Sequence, residues 1–399
     1  VGHDHDYRRG KCTPAQILAS FRGTVKAFSS KTGVSKTIVV SHRVFPETLA
    51  ALAEIGSARA PNPRQQFAKP QLSKMAKDAD AFMAFMPDVV DEAWLSKAPK
   101  LRMIAAALKG YDNFDLAACT RRGIWVSNVP DLLTAPTSEL TVGLMISLAR
   151  KIREGDSRIR KNRHSKWQPD LYGKGICGST VGLIGMGMIG TAIAERLQGF
   201  GATLLYFEKN LLQKDLETRL KLTRCALPEL LARCDFLIMT VPLTSGTYHL
   251  LNDDALAGCK PGALLINPAR GSVVDEVAVI RALESGRLGG YAADVFECED
   301  LSIPGHPKGI PSRLLKHPAT LFTPHLGSAV ESVRRAIELR AVANIADWAC
   351  GRPPRDAVNH PRPATEIHEE LPLAESRICL RDEVDGAPCS LEAECPTEP

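Results

Sequence analysis

Val181-Gly-Leu-Ile-Gly185-Met-Gly187-Met-Ile-Gly190 decides the fold. An apolar, β-branched run enters the pattern G-x-G-x-x-G, and Thr191–Gln198 continues from it with helical spacing. In such a unit Gly185 permits the tight turn, Gly187 lets backbone approach a pyrophosphate, and Gly190 allows helix and strand to pack closely. The phosphate rests on the helix N-terminus, where free N–H groups and the dipole favour negative charge. The next apolar run ends at Glu208, 23 residues beyond Gly185, where an acid binds the adenosine ribose hydroxyls. Strand, glycines, helix, strand and acid in this order read as a dinucleotide-binding unit, not an isolated turn. Glu208 repels a 2′-phosphate, so NAD is the expected cofactor, with Lys209 beside it allowing some use of NADP.

Working outward, short apolar runs alternate with helical patterns. Upstream lie Thr37–Ser41, Ala81–Phe85 and Leu101–Ala106; around and beyond the glycines lie Thr180–Ile184, Thr203–Phe207, Phe236–Thr240, Ala263–Asn267, Gly290–Val295 and Thr320–Thr323. Continuous aliphatic strands alternating with helices indicate parallel sheets covered on both faces, an α/β class. One long helix is expected over Thr137–Arg160, opened by Pro136-Thr-Ser-Glu139. Its stretch Leu140–Leu148 is apolar nearly all round, which predicts burial on more than one side.

Composition narrows the class further. The chain has 399 residues, 44% hydrophobic and 24% charged, an ordinary globular composition with room for two domains. No stretch approaches the ~18 consecutive apolar residues of a membrane span. The formal charge of +5 is uneven: residues 1–36 hold seven Lys/Arg and two Asp/Glu, residues 361–399 three and ten. The mild excess between them suits an anionic small molecule better than nucleic acid. Residues 1–36 read as an extension, a misplaced start or a weak likeness to a transit peptide. Residues 361–399, with six prolines, read as an acidic disordered tail. The eleven cysteines form no Cys-x-x-Cys pair, so reduced thiols, no metal site and a cytoplasmic setting are expected.

Three motifs stand at strand ends, where open parallel sheets bind their ligands: Asn267-Pro-Ala-Arg270-Gly-Ser-Val-Val-Asp-Glu276, Asp294-Val-Phe-Glu297-Cys-Glu299-Asp300 and Thr323-Pro-His325-Leu-Gly327-Ser328. Alone, Arg270 reads as a surface ion pair and His325 as a structural histidine; together at the edge that carries the cofactor motif they read as a site. These segments resemble the successive signatures of the D-2-hydroxyacid dehydrogenases, over roughly residues 37–360. The resemblance implies that Arg270 binds and polarises substrate, His325 is the acid/base, and Glu299 orients His325 and favours its charged form. It implies cofactor contacts from Thr137, Gly185, Gly187, Met188, Ile189, Gly190, Glu208, Pro242, Pro268, Asp294 and Gly327. Asp300 departs from the family, which commonly has proline there.

A narrower likeness is to the phosphite (phosphonate) dehydrogenases of that family. It is carried by Phe85-Met86-Pro87-Asp88, Ala107-Leu-Lys109-Gly110-Tyr-Asp-Asn-Phe-Asp115, Pro130–Thr134, Trp167-Gln-Pro169, Gly289–Glu297 and His325–Val330. It implies that Lys109, Gly110, Met86, Trp167 and Arg334 join Arg270 around the substrate. A lysine at 109 is unusual among the hydroxyacid relatives, and a second cation suits a compact tetrahedral dianion. The reaction implied is NAD-dependent oxidation of phosphite to phosphate, with the base left open because phosphite has no carbinol proton.

The implied architecture is two doubly wound parallel-sheet domains, an NAD-binding Rossmann domain (134–325) inserted into a smaller flavodoxin-like substrate domain (37–133 and 326–360). The cleft between them would close over substrate, and a homodimer would form through the long helix. Two alternatives remain: a glyoxylate or hydroxypyruvate reductase using the same Arg, Glu and His, and a NAD-sensing corepressor that keeps them. Lys109 and the lack of a DNA-binding module argue against the second.

Overall fold

The computed structural model describes residues 35–61, 67, 69–167 and 170–361. The extension through residue 34, the tail from 362, and Gln168 with Pro169 lie outside the described residues.

Two all-parallel sheets organise the chain. The first holds β1 (Lys36–Val40), β2 (Gly56–Arg59), β3 (Ala81–Ala84), β4 (Met103–Ala106) and β5 (Trp125–Ser127) in the order β2-β1-β3-β4-β5, the flavodoxin-type order. Alternation along the strands divides its faces. Ile38, Val40, Met83 and Met103 pack with Leu52 and with Ile337, Val342 and Ile345 of the Glu331–Ala349 helix. Val39, Phe82, Ile104 and Val126 turn the other way, onto Leu95, Ala118 and Cys119.

The second sheet holds β6 (Thr180–Ile184), β7 (Thr203–Phe207), β8 (Leu222–Arg224), β9 (Phe236–Met239), β10 (Ala263–Asn267), β11 (Leu288–Ala293) and β12 (Thr320–Phe322). Its order, β12-β11-β10-β9-β6-β7-β8, reverses direction between β6 and β9, the switch point of a Rossmann sheet. The expected pair of parallel-sheet α/β domains is therefore present. The Thr134–Ala149 helix leads the chain to this sheet, burying Leu144 and Met145 with Leu183, Ile193 and Leu197. The Glu331–Ala349 helix returns it to the first.

The long helix differs from expectation. It begins at Thr134, ends at Ala149, and a separate helix runs Ile152–Arg160. Between them Lys151 adopts φ 53, in the left-handed region, and the Lys174 N–H donates to the Ala149 carbonyl at 2.8 Å. Apolar anchoring stops at Ala149, and the second helix buries none of its residues. Nor is the first buried all round: Leu140, Val142, Ile146 and Leu148 are only half-buried and Gly143 is exposed. Strands β2, β5 and β8, unassigned from sequence, are short edge strands whose few residues carry little apolar signal. No helix among the described residues is long and apolar enough to cross a membrane.

Candidate active site

The carboxyl ends of both sheets face one cleft of about 840 Å³. On the Rossmann side, Gly185 has φ +104, and a Cβ there would lie 2.8 Å from the Thr240 and Val241 backbone. A Cβ on Gly190 would lie 2.4 Å from the Gly185 carbonyl oxygen. These two glycines are packing requirements and stand behind the cleft wall. Gly187 instead faces open space, with nothing within 4 Å of a Cβ, and lines the cleft with Met188 and Ile189 at the start of the Met188–Leu197 helix. The cradle therefore fits a dinucleotide pyrophosphate. Glu208, at the tip of β7, accepts the Met186 N–H at 2.9 Å and the Lys209 N–H at 2.8 Å. Its carboxylate is thereby fixed beside the glycine loop. Thr137, Pro242, Pro268, Asp294 and Gly327 also line the cleft.

Beyond β10, Asn267 shapes the turn that presents Arg270. Its side-chain amide donates to the Arg270 carbonyl at 2.8 Å and its oxygen accepts the Ala269 N–H at 3.1 Å. Beyond β11, Asp294 is fully buried, and burial pushes its carboxyl up. Oδ1 accepts Thr323 Oγ1 at 2.6 Å and the Leu326 N–H at 2.7 Å, and Oδ2 accepts the Gly327 N–H at 2.8 Å. Both oxygens thus fasten the loop carrying His325, itself at φ 55. Glu299 Oε2 lies 2.6 Å from His325 Nδ1, which leaves Nε2 as the ring's reactive nitrogen.

Behind this pair, Glu276 and Glu297 each accept the other's backbone N–H, at 3.0 and 2.8 Å. Burial pushes the Glu276 carboxyl up to about 7. Asp300 is buried and accepts the Ser272 N–H at 2.7 Å, tying the Glu299 turn to the Arg270 loop; burial raises its carboxyl too.

From the other sheet, the loop after β4 brings Lys109, Gly110 and Asp112 into the cleft, and the loop after β3 brings Met86. Burial lowers the Lys109 ammonium, opposed by the charge of Asp131. Arg334, in the first turn of the Glu331–Ala349 helix, reaches the same cleft, with its guanidinium 5.9 Å from the Phe85 ring centre. Most of the expected residues thus converge on the cleft wall, but Gly185, Gly190, Glu208 and Trp167 are not part of it. Trp167 is 79% exposed and lies outside the cleft wall, because it follows a helix that buries nothing. Sequence reasoning missed two residues. Asp112 holds Arg270, and His42 lines the cleft. His42 Nδ1 lies 3.1 Å from Ser41 Oγ, which donates to the buried Asp88. No group of three or more His, Cys, Asp or Glu among the described residues could hold a metal ion.

A Rossmann sheet with a dinucleotide cradle, opening on an arginine and a carboxylate-held histidine, defines an NAD-dependent dehydrogenase. Residues 142–327 match the model of the D-isomer specific 2-hydroxyacid dehydrogenase NAD binding domain. The chain is 37% identical over 293 residues to a glyoxylate reductase of Pyrococcus horikoshii, covering 72% of this chain and 85% of that one. The TT0316 protein of Thermus thermophilus superposes with TM-score 0.73 at 33% identity, over 81% of this chain and all of that one. A D-lactate dehydrogenase of Aquifex aeolicus, complexed with NAD and lactic acid, gives 0.72 at 26% identity, over 82% and 100%. The chain belongs to the D-isomer specific 2-hydroxyacid dehydrogenase family. It is an NAD-dependent oxidoreductase of that family. None of these names is a phosphite-oxidising enzyme, and the glyoxylate reductase name favours the 2-hydroxyacid alternative over the phosphite expectation.

Proposed function

We propose that this enzyme oxidises phosphite to phosphate: phosphite dianion, NAD⁺ and water give hydrogen phosphate dianion, NADH and a proton. The observation that carries the reading is the lining of one cleft by Lys109, Arg270 and Arg334. Of the three, only Arg270 has a carboxylate at salt-bridge distance among the described residues, Asp112 at 3.0 Å. The same lining carries the acids Asp112, Asp294 and Glu299; Asp112 pairs with Arg270, Glu299 with His325, and Asp294 holds the backbone of the His325 loop, so Lys109 and Arg334 are the cations left to face a ligand. Burial lowers both groups, opposed only in part by the charges of Asp131 and Glu338, and a small dianion offsets the cost of burying them better than a monoanionic keto acid.

When bound, NAD supplies the hydride acceptor. Lys109, Arg270 and Arg334 hold the oxyanion and stabilise charge as the new P–O bond forms. His325, held through Nδ1 by Glu299, offers Nε2 to the proton that the attacking water gives up. Glu208 holds the adenosine ribose.

The second reading, reduction of glyoxylate or hydroxypyruvate with NADH, is favoured by the names of the relatives at up to 37% identity. There Arg270 would grip the carboxylate and His325 would protonate the carbonyl oxygen. Absorbance of NADH separates the two. The proposal expects it to appear when phosphite is added to purified protein and NAD. Loss of NADH with glyoxylate, together with no phosphite-dependent gain, overturns the proposal and installs the second reading.

A further inference from the structure

We infer that Asp112 is a positioning residue that aims Arg270 at the substrate anion. The inference rests on Arg270 being the anion ligand, and it holds for phosphite and for a 2-keto acid alike. Asp112 lies in the loop after β4 and Arg270 in the loop after β10, so the two meet across the cleft. Asp112 Oδ1 accepts Arg270 Nε–H at 3.1 Å and Nη2–H at 3.0 Å, with Oδ2 3.3 Å from Nε. The Arg270 Nη1–H donates to the Ala269 carbonyl at 2.9 Å.

A guanidinium has five N–H groups in a rigid plane. Three are consumed here, which leaves one N–H on each terminal nitrogen. Two parallel donors of that kind form the fork that grips a carboxylate or a tetrahedral oxyanion. Without Asp112 the plane could turn about the side chain's terminal torsions, and the fork would sample directions away from the cleft.

Asp112 is itself well braced. The Phe114 N–H donates to the Tyr111 carbonyl at 3.0 Å, and the Asn113 side chain donates to the Met86 carbonyl at 3.1 Å. Both members of the pair are about one-sixth exposed, each side chain at 17%, so the pair is largely shielded from water and its geometry persists. A simple clamp between the two lobes would need only opposite charges in contact. An aiming device needs the carboxylate at one distance from the guanidinium, and this separates the two accounts.

The test is equilibrium binding of sulfate and of oxalate, unreactive small dianions, to the NADH-loaded protein, read by cofactor fluorescence. Asp112→Glu keeps the charge but moves it outward by one methylene. Aiming predicts that it weakens binding of both anions about tenfold, with NADH affinity and melting temperature unchanged. Asp112→Ala is expected to weaken binding at least as much. In the Asp112→Ala/Arg270→Ala double variant the loss should be no greater than for Arg270→Ala alone, because an aiming residue has no effect without its target. Wild-type affinity in Asp112→Glu, or additive losses in the double variant, overturns the inference. Unchanged anion affinity in Arg270→Ala overturns instead the reading of Arg270, and with it the ground on which Asp112 stands.

Discussion

Gly110→Ala tests the seating of Arg270 in the cleft. A Cβ at position 110 would stand 1.7 Å from Arg270 Nη2 and 2.7 Å from Asp112 Oδ1. Ordinary contact starts near 3.4 Å, so the guanidinium must withdraw by roughly 1.7 Å, the difference between those distances. The backbone of Gly110 is not in the left-handed region, and two of the three closest atoms belong to the movable end of an arginine. Alanine is therefore tolerated by the fold, at a cost on the order of 1 kcal/mol or a few degrees in Tm. Function is different. A misplacement of about 1 Å costs on the order of 100-fold in rate, and the displaced guanidinium no longer sits where Asp112 aims it. We expect kcat/KM for the anionic substrate to fall at least about 100-fold, while KM for NAD and the melting curve stay near wild type. Steady-state kinetics with phosphite and with glyoxylate, beside thermal unfolding, measures all three. Near-normal kcat/KM in a folded Gly110→Ala protein would refute the seating of Arg270 between Gly110 and Asp112.

Two predictions concern protons. Burial lowers the Lys109 ammonium from its ordinary range, and only the charged form attracts an anion. KM for substrate should therefore climb as pH rises through that lowered value, and Lys109→Arg should remove the climb because guanidinium stays charged; a wild-type profile flat at every pH below the ordinary lysine value of 10.5 contradicts this. Glu276 works in the opposite sense. Its carboxyl is raised from 4.5 to about 7 by burial, so the folded state binds a proton that the unfolded state releases. That stability is present in full below about 4.5, declines as pH rises, and is gone above about 7. The amount is roughly 3 kcal/mol. Glu276→Gln lacks the titration, so its melting temperature should fall less than wild type's between about pH 5 and about pH 8; parallel profiles would count against a neutral Glu276 in the fold.

Much of the Rossmann half was legible in the sequence because its signals are local. The glycines, the acid at 208 and the aliphatic runs of β6, β7, β9 and β10 each speak for themselves. Arg270, Glu299 and His325 could be brought to one edge by noting that each follows a strand end. Their contact, however, depends on the adjacency of β10, β11 and β12, which no spacing encodes; likeness to a family supplied it. Asp112 lies in a quoted motif but carries no signal of its own there, since its partner is 158 residues away. The break at Lys151 was hidden for another reason. Helical propensity continues through it, and what ends is burial, a property of the packed chain.

The parallel arrangement of both sheets explains why so few loops suffice. In a parallel sheet every strand delivers its carboxyl end to the same edge, so consecutive βα loops converge without special bends. Here two such edges meet. One contributes Met86, Lys109 and Asp112, the other the glycine cradle, Arg270 and His325, and Arg334 arrives on the helix that closes the first domain's core. Each edge alone is incomplete: the Rossmann edge has the cradle and the paired histidine but one cation, and the other edge has charge but no cofactor. A reaction that needs both can proceed only while they face each other. The Asp112–Arg270 pair spans that gap, so the bond that aims the anion ligand also requires the two edges to be in register.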